Sequence, residues 1–132
     1  GDYAIIGNYT QPLPKVGPFA SWTFHPPTFR DEMEIARETS GKRIIGYEAM
    51  RLEISHTFVS TTISDGSLDE NGILIADPTN PKFRPFVASG SAPEVVAAAL
   101  DKMPYDLVHD LWAGVKAVAP DWGEVGEPTK TE

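Results

Sequence analysis

The chain contains no cysteine, which removes disulfide staples, thiol nucleophiles and thiolate metal ligands together and fits a reducing compartment. It also lacks an excess of positive charge. Eleven lysines and arginines stand against 19 aspartates and glutamates, a formal net charge of -8, and a surface of that sign gains nothing by neutralising phosphates or meeting anionic lipid. Nucleic acid and membrane are therefore excluded as expected partners. The longest apolar runs, residues 72–76 and 95–100, fall far short of the roughly 20 residues that span a bilayer. No basic-then-apolar leader opens the chain, so the expected location is intracellular. Also missing are a G-x-S-x-G elbow, a phosphate-binding glycine loop and any pair of histidines at metal-ligand spacing, which leaves no motif for a catalytic site, a cofactor or a metal.

What is present is enough apolar residue for one core. At 132 residues, 41% hydrophobic and 23% charged, the chain matches ordinary globular usage and needs no metal or disulfide to fold. The prolines are unevenly placed. Those at 12, 14, 18, 26 and 27 forbid a helix over residues 1–27, because each removes a donor and biases the residue before it towards an extended backbone. Yet Tyr3, Ile5, Tyr9, Leu13, Phe19, Trp22 and Phe24 make the segment too apolar for a solvated linker. It reads as an extended arm with strand-like pieces at residues 3–6 and 21–24, lying on its own core or on a neighbouring subunit.

Beyond the arm the expected fold is mainly α, with four helices over residues 28–40, 44–61, 92–102 and 104–118. Thr28 with Asp31 forms an approximate capping box for the first, and Glu32 and Glu34 sit near its positive dipole end. The second carries apolar residues on two faces: Ile45, Ala49, Leu52, Val59 and Ile63 on one, Tyr47, Met50, Ile54 and Phe58 on the other. Ser91 with Glu94 predicts a capping box for the third, with Pro93 in its first turn. The fourth shows a clean stripe of Leu107, Leu111, Trp112, Val115 and Val118. Between the second and third helices, turn signals at Asp65-Gly66 and Asp69-Glu70-Asn71-Gly72 precede short edge strands near 73–76 and 83–88, the first bounded by Asp77-Pro78 and Asn80-Pro81. The domain thus spans residues 28–119, and 120–132 forms a loose acidic tail.

Each chemically active side chain has a structural reading beside the functional one. His56 lies on the Ile45 stripe, where a tucked-in imidazole is the ordinary outcome; His25 precedes two prolines; His109 adjoins Asp110. Asp65, Asp69, Glu70 and Asn71 do not fit the ligand register of a calcium loop. Ser60, Thr61 and Thr62 have no base at a defined offset. The expected role is protein contact, carried by Trp22, Phe24, Phe29, Tyr47, Met50, Ile54, Phe58 and Trp112, since large aromatics and methionine dominate interface energetics. A ligand-binding domain or enzyme with a histidine-containing pocket is the alternative, and an acidic inhibitor or anti-defence protein a second one.

Residues 24–36, with His25-Pro26-Pro27-Thr28-Phe29-Arg30-Asp31-Glu32-Met33, followed by Tyr47-Glu48-Ala49-Met50-Arg51-Leu52, resemble the opening of small accessory proteins of tailed-bacteriophage tail modules, among them the tail assembly chaperone type. The resemblance implies a non-enzymatic helical protein, possible as a homo-oligomer, that binds the apolar helices of the tape measure protein and the tail tube subunits. It places the chain in the host cytoplasm or the virion. The Pro-rich arm departs from that helical pattern and suits a virion subunit that locks to its neighbours.

Overall fold

The computed structural model describes residues 7–40, 42 and 46–120; the strand-like piece at 3–6, the tail after residue 120 and Ile45 lie outside the described residues. Alternation in Ser21-Trp22-Thr23-Phe24 sets up the central element. Strand β2 (Ser21–Phe24) buries Trp22 and Phe24 completely on one face, while Thr23 on the other exchanges a 2.8 Å hydroxyl hydrogen bond with Thr10. Strand β1 (Tyr9–Pro12) pairs antiparallel with β2, Thr10 opposite Thr23, and strand β3 (Phe58–Thr61) pairs antiparallel on the other side, Trp22 opposite Thr61. Pro12 is tolerated because β1 is an edge. A bulge between Thr23 and Phe24 shifts the second register so that Phe24 faces Phe58.

This sheet overturns the mainly α expectation: among the described residues the fold is mixed, a three-stranded antiparallel sheet in the order β1-β2-β3 with four helices. Helix α1 (Phe29–Glu38), α2 (Tyr47–Thr57), α3 (Pro93–Leu100) and α4 (Tyr105–Val118) match the expected number but not every boundary. The second helix does not continue to residue 61. Its backbone turns extended at Phe58 (φ -68°, ψ 134°), and Thr57 Oγ1 bonds back to the Glu53 carbonyl at 2.7 Å, closing the last turn in the way a hydroxyl residue can. The β-branched residues that follow then gain a ladder against β2 that a helix could not offer them.

Residues 73–76 and 83–88 do not form strands. Two isolated bridges, Leu68 with Leu74 and Ser64 with Pro85, are all the pairing they make among the described residues. Prolines and side-chain turns prevent more: the Asp65, Asp69, Asp77 and Asn80 side chains each accept a hydrogen bond from an amide two residues on, which commits the segment to successive tight turns. The cap of α3 also differs from expectation. Its N-cap is Ala92 with Pro93 in the first turn, and Ser91 Oγ donates to the Ala88 carbonyl instead.

The core sits between the inner face of the sheet and the helices. Trp22, Phe24, Ile54, Phe58, Val96, Leu100, Leu111 and Val115 form its centre. Gly114 brings α4 hard against β1 and β2, where Gln11 Nε2 donates to the Asp110 carbonyl at 2.8 Å. Among the described residues no helix is long and apolar enough to cross a membrane.

Arg51 of α2 grips Asp101 at the end of α3 with two hydrogen bonds, both 2.8 Å. The guanidinium holds the Asp101 carboxyl below its ordinary value of 3.8. A carboxyl depressed in the folded state stabilises above its unfolded value and loses that contribution as pH falls through the folded one. Both groups are more than a third exposed, so the pair contributes about 0.5 kcal/mol. Asp101→Asn should therefore lower the urea midpoint slightly at neutral pH, with the difference from the parent protein shrinking as the pH is lowered through the acid range, checked by urea titration across it.

Candidate functional site

Helix α1 is amphipathic, yet none of its residues is buried. Its start is well specified: Thr28 Oγ1 accepts from the Asp31 amide at 3.2 Å and Asp31 Oδ2 accepts from the Thr28 amide at 2.8 Å, the reciprocal capping box expected from the sequence. At about 100° per residue, Phe29, Met33 and Ala36 fall on one face and Asp31, Glu34 and Glu38 on the opposite one. An amphipathic helix ordinarily turns its apolar stripe to the core. Here the acidic face is the one turned inward. Phe29 is 79% and Met33 42% exposed, Ala36 is exposed, and Ile35 alone among the hydrophobic residues of α1 packs against the core.

The reason is His56. It lies in the last turn of α2 with its side chain 3% exposed, and both ring nitrogens meet α1: Nε2 is 2.9 Å from Glu38 Oε2 and Nδ1 is 3.6 Å from Glu34 Oε1. The first is a hydrogen bond. Nδ1 has no hydrogen-bond partner among the described residues. Asp31, Glu34 and His56 each bring one donor atom to a common locus, all within 4.8 Å of one another. Glu34 also accepts a hydrogen bond from Arg30 Nε at 3.3 Å, and His25 Nδ1 approaches Asp31 Oδ2 to 3.9 Å. These groups could hold a cation, though the sequence offered no spacing for one. Asp31 and Glu34 were legible only as capping and dipole groups of the helix start; their meeting with a histidine of another helix was not.

A second feature runs along α4. Tyr47 meets Tyr105 edge-on at 5.8 Å, Tyr105 lies 5.7 Å from His109, and His109 lies 6.3 Å from Trp112. Lys116 caps the row with its ammonium 4.5 Å from the Trp112 ring centre, a cation–π contact. Tyr47 and Tyr105 are largely exposed, while Trp112 Nε1 donates to Glu53 Oε1 at 3.1 Å. His109 is thus one ring of an aromatic row.

Of the eight expected contact residues, Trp22, Phe24, Met50, Ile54 and Phe58 are buried within this chain. Phe29 and Tyr47 are exposed and Trp112 is half-buried. The described part of the arm therefore supplies the sheet and core residues of its own domain. A surface depression of about 390 Å³ is lined by Phe86, Glu94, Val95, Ala98, Ala99 and Lys102, and none of the three histidines borders it. Comparison with known proteins adds no assignment: no family model, no curated protein and no solved structure matches the chain.

Proposed function

We propose that this chain is a non-enzymatic protein-contact subunit, an assembly factor or virion component of the bacteriophage type, and that α1 is its contact element. One observation carries the reading: α1 turns its apolar stripe of Phe29, Met33 and Ala36 outward and anchors itself through carboxylates. Leaving Phe29 in water forgoes about 1.5–3 kcal/mol that burial would return, and the half-exposed Met33 forgoes a fraction of that. A partner that covers the stripe recovers it.

The occupant is an amphipathic helix of another subunit with carboxylates beside its apolar face. Two turns of helix with an apolar stripe match the ridges of a second helix, and Arg30 and Arg37 flank the stripe on one side, cations that an acidic chain presents beside it. The resemblance to tail accessory proteins supports the same kind of partner, a long helical tail protein. In light-scattering measurements with a phage tape measure protein and a tail tube protein, the parent chain should form a complex, and F29S/M33S should weaken it at least tenfold with its own melting temperature unchanged. R37E should weaken it further at low salt than at high salt. Equal binding by the double variant, or no complex with either protein, would overturn the proposal. Self-association of the parent chain alone would do so too, by assigning the stripe to a second copy.

A further inference from the structure

We infer that His56 and the inward face of α1 form a divalent-cation site of the zinc type, with Asp31, Glu34 and His56 as ligands and Glu38 as the group that orients the imidazole. The argument starts from the buried ring. Its side chain is 3% exposed and Nδ1 makes no hydrogen bond among the described residues, a condition that ordinarily costs about 1–3 kcal/mol. Nε2, 2.9 Å from Glu38 Oε2, carries a proton to donate to that carboxylate. Nδ1 then presents a lone pair. It points towards Glu34 Oε1 at 3.6 Å, and two electron-rich atoms face each other across a gap that calls for a positive charge.

The dimensions suit a metal. Tetrahedral zinc, with Zn–N and Zn–O bonds of roughly 2.0–2.2 Å, sets neighbouring ligand atoms about 3.4 Å apart. The observed 3.6 Å is near that, and the 4.8 Å limit across the three ligands closes with small rotations of Glu34, a third of whose side chain is exposed. Asp31 keeps one oxygen for a cation, since Oδ2 accepts the Thr28 amide. A carboxylate on the far nitrogen of a ligating histidine fixes its tautomer and raises its basicity, and Glu38 holds that position. One imidazole among carboxylates favours zinc over magnesium or calcium, which prefer oxygen-only sets. Arg30 offsets part of the acidic charge at 3.3 Å, leaving the locus net negative. The same gap could be filled by a second proton on His56, and the two occupants are separable.

The test uses the purified chain after chelation and desalting, titrated calorimetrically with zinc chloride. One equivalent should bind with micromolar or tighter affinity, unmoved by millimolar magnesium or calcium, and the nitrogen NMR signals of His56 should shift while those of His109 do not. E34Q should weaken binding at least tenfold, and E38Q, which leaves all three ligands, between 10- and 100-fold. Because Glu34 and Glu38 are partly exposed, both variants should fold, as circular dichroism would confirm. Binding that E34Q leaves unchanged, or zinc-induced shifts at His109 in place of His56, would overturn the inference. So would an absence of zinc uptake with His56 charged, which identifies a proton as the occupant.

Discussion

Replacing Gly114 with alanine should destabilise the chain by about 1–2 kcal/mol, against the usual direction of that exchange in a helix. In an exposed helix interior, alanine is favoured over glycine by about 1 kcal/mol. Gly114 lies inside α4 and is buried, and a Cβ there would come within 2.6 Å of Phe24 Cζ and closer still to Phe24 Cε2 and Gln11 Oε1. Carbon atoms do not pack at that distance. The Phe24 ring is fully buried in the central strand and cannot swing away, while Gln11 is held by its bond to the Asp110 carbonyl. The helix must therefore lift off the sheet, and overpacking of that kind costs about 1–3 kcal/mol, occasionally more. Packing outweighs propensity. Urea denaturation checks the sign: a gain in midpoint for G114A would mean that α4 does not approach the sheet so closely.

The same contact explains which parts of the fold could be read in advance. Four helices were legible because each is specified locally: the Thr28 box, the stripe of α4 and Pro93 at the start of α3 all act within a few residues. Of the sheet only β2 was legible, as the strand-like piece at 21–24; its pairing was not, because β2 meets β3 across a sequence gap that includes two helices. Taken alone, Phe58 to Thr61 continues an apolar helical stripe, and only the facing Trp22 and Thr23 decide that it is a strand. Pro12 and Pro14 marked the β1 region as extended without saying that it pairs, and an edge strand tolerates proline at its end.

The candidate site divides in the same way. The capping box of α1 and the helical spacing of Phe29, Met33 and Ala36 were visible. Which stripe faces inward depends on His56, 18 residues beyond Glu38 on another helix, and periodicity treats both faces of a helix alike. Burial in this chain likewise sorts Phe29 from Trp22, two aromatics that sequence pattern could not separate.

That sorting makes Trp22→Ala the most damaging aromatic substitution, with an expected loss of about 3–5 kcal/mol. Trp22 is fully buried in the central strand and meets Phe58 edge-on at 4.9 Å, so its removal opens a cavity between sheet and helices. Domains of this size are commonly stable by only about 5–15 kcal/mol; W22A should consequently be partly unfolded or melt far below the parent protein. Trp22→Phe separates volume from polarity. The indole Nε1 has no hydrogen-bond partner among the described residues, so deleting its N–H sacrifices no bond, and W22F should lose less than half as much as W22A. Circular dichroism melts of the two variants check this, and a W22F as damaging as W22A would mean that Nε1 makes a bond the core depends on. A loss of partner binding by W22A would report unfolding and not a missing contact, whereas the same loss in F29S/M33S, with an unchanged melt, can come only from the surface of α1.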